Sequence, residues 1–249
     1  ANRRFGGSTP RLGPMPGAGG VTALLRAFLL LPGVPICLGA AAPMAAGSAA
    51  APLAVVTGAN TGIGYHVAGQ LAARGFHVVL ACRSAERAQS ALADMRRQYG
   101  ADISAEFQQL DLTSFSSVQS FVEGLRGRQP SLLVCNAGLN SASVLQGAHE
   151  QLTADGVDVL YQTNFLAHFY LVLLVLPMLV ATGGRVLSVT SVVHRSASPE
   201  DFGLVRKVRE PYLSLYGLSK LAQILANVEF HRRFGARGVA FHCVNPGGV

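Results

Sequence analysis

From Leu53 onward the sequence predicts an α/β domain: a doubly wound parallel sheet with helices on both faces. Three observations predict it. Short apolar runs alternate with longer stretches of helical spacing, a glycine-rich turn follows the first run, and most runs end in small or polar residues. The chain has 249 residues, half of them apolar, which suits one such domain plus an extension.

Leu53, Ala54, Val55 and Val56 make the first strand. It ends in Thr57-Gly58-Ala59-Asn60-Thr61-Gly62-Ile63-Gly64, and helical spacing follows over residues 65–74. Glycines let a backbone approach a ligand closely, and the amino end of a helix offers free N–H groups and a positive dipole to a diphosphate. The spacing Gly-x-x-x-Gly-x-Gly departs from the Gly-x-Gly-x-x-Gly of the usual dinucleotide fingerprint, so its weight comes from lying between a strand and a helix. Residues 76–82 form a second strand that ends in Cys82 and Arg83. A site selective for NAD places an acid there to accept from the ribose hydroxyls. An arginine pairs instead with a 2′-phosphate, which points to NADP; the alternative is a solvated arginine at a strand end.

A third strand over residues 106–110 ends in Asp111 and Leu112, and a fourth over residues 132–135 ends in Asn136, Ala137 and Gly138. Both ends fall on the carboxyl edge of a parallel sheet, where ligands sit. Asp111 either meets an adenine there or caps a helix over residues 114–122, and Asn136 braces the central strand. Residues 157–180 predict a long helix, apolar nearly all round except at Gln162, Thr163, Asn164 and His168, its uncharged run interrupted by His168 and closed by Pro177. Such a helix belongs in a core or a subunit contact rather than a membrane. The Asn164 amide needs partners, as a structural bridge or within a proton route. His168 reads as a satisfied helix histidine. A fifth strand over residues 185–190 ends at Ser191, residues 192–213 are irregular, and a sixth strand over residues 239–244 ends in Asn245-Pro246-Gly247-Gly248.

Between the last two strands lies a helix from Tyr216 to Phe234 that opens with Tyr216-Gly217-Leu218-Ser219-Lys220. Residues four apart share a helix face, so the phenol and the ammonium point into one site. A free phenol, with a pKa of about 10, is a poor base at neutral pH; a neighbouring ammonium favours its phenolate. The pair therefore suits proton exchange with a substrate hydroxyl or carbonyl.

The formal charge of +7 is unevenly spread. Residues 1–51 hold Arg3, Arg4, Arg11 and Arg26 and no acid, the first acidic residue being Glu86, so the remainder carries only +3. No basic run or aromatic-studded basic stripe is present, which excludes a nucleic-acid binder. The Ala, Gly, Pro and Arg of residues 1–51, with an apolar run over residues 21–31, resemble a targeting leader, whether a secretory signal, an organelle transit peptide or an anchor; the destination is then the endoplasmic reticulum or a plastid, and the cytoplasm if the leader does not function. Cys37, Cys82, Cys135 and Cys243 have neither disulfide nor zinc spacing and read as small buried thiols, so no metal is expected.

Taken together, Thr57-Gly58-x-x-x-Gly62-Ile63-Gly64, Asn136-Ala137-Gly138, Asn164, Ser191, Tyr216-x-x-x-Lys220 and Pro246-Gly247 resemble, in order, the short-chain dehydrogenase/reductase family from about Leu53 to Val249. The resemblance implies its Rossmann-like fold, hydride exchange with a nicotinamide, and a catalytic tetrad of Asn164, Ser191, Tyr216 and Lys220. It implies cofactor contacts from Gly58, Asn60, Thr61, Gly62, Ile63, Gly64, Arg83, Asp111, Leu112, Asn136, Ala137, Gly138, Tyr216, Lys220, Pro246 and Gly247. Ala81-Cys82-Arg83-Ser84 and the residues after Ser191 look like the retinol-dehydrogenase-like branch, which acts on retinoids, steroids and other apolar alcohols or carbonyls, often at membranes; protochlorophyllide oxidoreductases are similar around the glycine turn. Homo-oligomers through the helices at Val157 and Tyr216 are implied by the same analogy. Family members continue past Pro-Gly with a substrate-covering loop and a seventh strand, so the sequence is expected to lack the carboxyl-terminal part of the domain. Two other readings carry different expectations: a catalytically silent NADP-binding module, and a membrane-tethered scaffold resting on the leader and the long apolar helix.

Overall fold

The computed structural model describes residues 51–140, 152–198 and 212–247. The leader expected over residues 1–51 lies outside them except for Ala51. So does most of the irregular excursion before the tyrosine helix.

Six strands alternate with helices. They are β1 (Leu53–Thr57), α1 (Gly62–Ala73), β2 (His77–Cys82), α2 (Ala85–Tyr99), β3 (Ala105–Gln109), α3 (Phe115–Gly124), β4 (Pro130–Cys135), α4 (Val159–Thr182), β5 (Arg185–Val189), α5 (Tyr212–Phe234) and β6 (Ala240–Val244). The sheet order is β3-β2-β1-β4-β5-β6 with every pair parallel. The order reverses between β1 and β4, and ligands of such sheets bind outside the carboxyl ends of the strands at that point.

The alternation of side chains along β1 sets the layers. Ala54 and Val56 pack into an apolar cluster with Ala68 and Ala72 of α1 and Leu92 and Met95 of α2. Thr57, one residue further and on the opposite face, meets His168 of α4 instead. α1 and α2 therefore cover one face, while α4, with α3 and α5 packed against it, covers the other. Fully burying side chains such as Leu80 or Leu176 contributes about 1.5–3 kcal/mol each.

Several elements depart from expectation. α1 starts at Gly62, inside the glycine turn, and α5 starts at Tyr212, placing Tyr216 one turn inside the helix. Ser114, whose hydroxyl accepts from the Ser117 amide, caps α3; the Asp111 carboxylate is turned onto the amide and hydroxyl of Thr113, so the cap expected of Asp111 is not formed. α4 runs through Pro177, as expected, but continues two residues beyond Val180 to Thr182 and ends at Gly183 in the left-handed conformation. An interior proline costs about 3 kcal/mol, and burial of the flanking Val175, Leu176 and Leu179 offsets it. Nor is α4 regular: Gln162–Leu166 form a π-turn around Asn164. Cys82 and Cys135 are buried as expected, but Cys243 on edge strand β6 is exposed.

α4 is long and apolar enough to cross a membrane, yet 61% of its most apolar stretch is buried inside the protein. It is the core helix of this sheet. Asp158 caps its start, accepting from the amides of Leu160 and Tyr161, and Asp155 joins it to α3 through the Phe115 amide and Gln162.

Candidate active site

The glycine turn is fixed from below. The Thr57 hydroxyl accepts from the amides of Asn136 (2.9 Å) and Ala137 (3.0 Å), and the Asn136 side chain donates to the carbonyls of Thr57 and Gly58. β1 and β4 are thus joined at their carboxyl ends, and Asn136 braces them. Glycine is required at two places. A Cβ on Gly58, whose φ is +62°, would lie 2.9 Å from the Ala137 Cα, and one on Gly64 would lie 2.3 Å from the Asn136 amide nitrogen and 2.5 Å from the Gly58 carbonyl. A Cβ on Gly62, at φ +56°, would meet nothing within 4 Å beyond its own chain neighbours. Thr61 makes no side-chain cap, so the first amides of α1 are left to whatever approaches from that open side. Cys82 sits beneath, against the amides of Ala59 and Asn60, and burial pushes its thiol up to about 11.

Arg83 is exposed just past β2, two residues beyond Ala81, whose carbonyl accepts from the Gly58 amide. Asp111 follows the β3 end, tied there by the Leu110 amide to the Cys82 carbonyl. Leu112 is buried, so its side chain serves the core and only its backbone can face a ligand. On the other side of the sheet centre, Pro246 and Gly247 are exposed beyond β6, next to Thr190, whose amide and hydroxyl both donate to the Val244 carbonyl.

The four candidate tetrad residues come from three places: Asn164 from α4, Ser191 from the turn after β5, and Tyr216 and Lys220 from α5. Asn164 is wholly buried in the π-turn; its amide accepts from the Leu139 N–H at 2.7 Å and donates to the Leu139 carbonyl at 2.9 Å and to Ser219 at 3.2 Å. These bonds make it a structural bridge. Lys220 is 4% exposed, its ammonium donates to the Val189 carbonyl at 3.0 Å, and it lies 5.6 Å from the centre of the Tyr216 ring. Burial lowers the Lys220 pKa to about 8, with the neighbouring Cys135 thiol acting weakly in the other direction. Gly138 lies between the two, since a Cβ there would be 3.3 Å from the Asn164 amide oxygen and 3.6 Å from the Lys220 nitrogen. Ser191 follows β5 and caps a short 3-10 turn, Val192–Ser196, by accepting from the Val193 amide. The His194 ring contacts the Ser191 carbonyl at 2.6 Å. Gly217 lets α5 press on that turn: a Cβ would stand 2.8 Å from both the Ser196 hydroxyl and the Val193 carbonyl.

A model of the short chain dehydrogenase family matches residues 52–249. The chain belongs to the short-chain dehydrogenase family. Human retinol dehydrogenase 12 is 34% identical over 196 residues, 78% of this chain and 60% of that protein. Human WW domain-containing oxidoreductase is 37% identical over 206 residues, 78% of this chain and 48% of its own length. Bovine dehydrogenase/reductase SDR family member 13 is 36% identical over 239 residues, 92% of this chain and 59% of that protein. The chain therefore spans about half to three fifths of these curated relatives, and it falls in the retinol-dehydrogenase-like branch of the short-chain dehydrogenases. Among solved structures, a short-chain dehydrogenase from Sphingobium yanoikuyae in complex with NADPH matches with a TM-score of 0.63 and 27% identity, over 79% of this chain and 71% of that one. The domain is that of a dehydrogenase/reductase.

Among the described residues, sequence reasoning gave no role to Thr57, Leu139, Ser219 or the Val189 carbonyl, although each holds a candidate site residue in place. Leu139 and Val189 act through their backbones, which any residue supplies, and Ser219 is one of many serines with nothing in its spacing to mark it. Thr57 was visible only as the residue before the first glycine.

Proposed function

We propose that this chain is an NADP-dependent oxidoreductase that exchanges a hydride with a small apolar alcohol or carbonyl of retinoid, steroid or lipid type. The observation that carries the proposal is the buried Lys220 ammonium, held on the Val189 carbonyl and 5.6 Å from the centre of the Tyr216 ring, at the carboxyl edge of the sheet. Keeping an ammonium 4% exposed costs folding free energy, which makes a purely structural lysine a poor explanation.

The residues present suit a dinucleotide. The uncapped start of α1, the open side of Gly62 and the close approach made by Gly58 and Gly64 suit a diphosphate over Asn60, Thr61 and Ile63. Arg83 suits a 2′-phosphate, Asp111 and the Leu112 backbone an adenine, and Asn136, Ala137, Gly138, Pro246 and Gly247 the nicotinamide half. The chemistry that a bound NADP(H) would supply is the transfer of a hydride. Tyr216 exchanges the proton at the substrate oxygen, as acid in reduction and base in oxidation. The Ser191 hydroxyl donates a hydrogen bond to that oxygen. Lys220 supplies positive charge beside the phenol and would hold the nicotinamide ribose, while Asn164 holds Leu139 and would support the route for protons. Association with a membrane or organelle through residues 1–51, and a homo-oligomer, belong to the same proposal.

The test is a fluorescence titration of the chain with NADPH and with NADH, repeated on Arg83→Ala. Tight NADPH binding that Arg83→Ala weakens while leaving NADH unaffected is the expected outcome. Equal affinity for both nucleotides, unchanged by Arg83→Ala, overturns the NADP assignment, and binding of neither overturns the oxidoreductase reading.

A further inference from the structure

His168 lies behind the candidate site, buried on α4, and nothing in the proposed chemistry uses it. Both its ring nitrogens are engaged: Nε2 lies 2.9 Å from the Thr57 hydroxyl and Nδ1 lies 3.2 Å from the Asn164 carbonyl. Proton counting decides which nitrogen donates. The Thr57 oxygen already accepts from two backbone amides, Asn136 and Ala137, which occupy its two lone pairs. Its single proton remains for the imidazole at 2.9 Å or the Val134 carbonyl at 3.3 Å. A proton on Nε2 would point at an oxygen with no lone pair left, so Nε2 accepts. Nδ1 then carries the proton and donates to the Asn164 carbonyl, which can only accept. Burial agrees with a neutral ring, lowering the His168 pKa to about 4.

The bonds close a ring. Thr57 holds the amides of Asn136 and Ala137, His168 joins Thr57 to the Asn164 backbone, and the Asn164 side chain returns to both backbone groups of Leu139. Everything between Asn136 and Leu139 is thereby fastened at two ends, with Gly138 and its approach to Lys220 in the middle. The ring also passes through the π-turn, a single i→i+5 turn of the kind found inside α-helices at functional sites.

We propose that His168, as its neutral Nδ1–H tautomer, is a positioning residue: it clamps the Asn164 π-turn to Thr57 and so fixes the 136–139 segment against the catalytic Lys220. The clamp stands on geometry alone, whereas its effect on cofactor binding rests on the oxidoreductase reading above.

The experiment uses the full chain, 15N-labelled at histidine and at backbone amides, with NADPH as the probe. In the wild-type protein the His168 ring is expected to show a non-protonated, hydrogen-bonded Nε2 and a protonated Nδ1. The amides of Asn136, Ala137 and Leu139 are expected to exchange slowly. In His168→Phe those three amides exchange faster and NADPH binds about tenfold more weakly, the loss of one to two well-made hydrogen bonds. His168→Asn, which keeps a donor near the Nδ1 position, recovers part of both effects. His168→Gln, which keeps reach toward Thr57 but not the ring, stands in if the phenylalanine variant does not fold. A residue that only filled space would lower the melting temperature of His168→Phe and leave NADPH affinity and the three amides of the folded molecules unchanged; that result overturns the proposal. So does a protonated Nε2 in the wild type. Failure of the wild-type protein to bind NADPH, with the tautomer and amide results as expected, sinks the cofactor reading and leaves the clamp standing.

Discussion

At the residue scale, Tyr216 and Lys220 owe their juxtaposition to one turn of helix, which is why spacing alone found them. Their environments are a different matter. Lys220 is buried against the Val189 carbonyl, and its pKa of about 8 sits below the 10.5 of a free lysine. Between those values the unfolded chain holds a proton that the folded chain has released, so stability rises with pH across the window. Below about pH 8 the folded state bears the full penalty of a buried charge. Lys220→Met is therefore expected to be more stable than the wild type at pH 7, with the gap narrowing as pH rises from 8 to 10.5. Urea midpoints measured across that range check it, and a gap that widens with pH contradicts it. Tyr216→Phe keeps the ring and removes the proton. It is expected to lower kcat about 10²–10⁴-fold, far more than it weakens NADPH binding, in a steady-state assay with a retinoid or steroid carbonyl. His168 was legible as a satisfied buried histidine, but its link to Thr57 was not, because the two are 111 positions apart.

At the element scale, most strands and helices are legible from period and punctuation, and boundaries move by a few residues where capping decides them. Ser114 took the cap that Asp111 also matched, since both precede α3 by a plausible distance and only the geometry of the first turn separates them. The π-turn of α4 leaves no mark in the sequence, because its residues fit an α-helix equally well. Pro177 does leave a mark, yet it does not stop the helix, since packing on α3 and β4 carries it past the proline. Gly217 is the element-scale test of the site. Alanine there favours a helix intrinsically by about 1 kcal/mol over glycine, yet its Cβ would stand 2.8 Å from the Val193 carbonyl and the Ser196 hydroxyl. Gly217→Ala is expected to retain helical circular dichroism and lose activity at least tenfold by pushing α5 away from the turn that follows Ser191. Full activity in that variant would show that α5 has room to spare.

At the scale of the whole molecule, α4 is the test of architecture. Its composition suits a lipid bilayer as well as a protein core, and its 61% burial inside the protein assigns it to the core. Leu176, fully buried there, is expected on replacement by alanine to cost about 2–5 kcal/mol. A urea midpoint shifted accordingly, with no change in m-value, is the readout. A midpoint left in place would mean that the side chain faces lipid or solvent instead. The sheet order also belongs to this scale. Six apolar runs in sequence do not state that β4 crosses to pair with β1, placing the point of reversal between Thr57 and Asn136, which are 79 residues apart along the chain.

The sequence by itself determined the alternation of strands and helices, the glycine turn, the types of the four candidate tetrad residues and the basic residue after β2. Each is written in periodicity or in spacing within one element, where covalent geometry alone brings side chains together. Tertiary structure alone decided the order of the strands, the tautomer of His168, the partners of Asn164 and the glycines that cannot bear a Cβ. Those depend on which distant segments share a surface, and on how many lone pairs and protons meet there, which no local window of sequence contains.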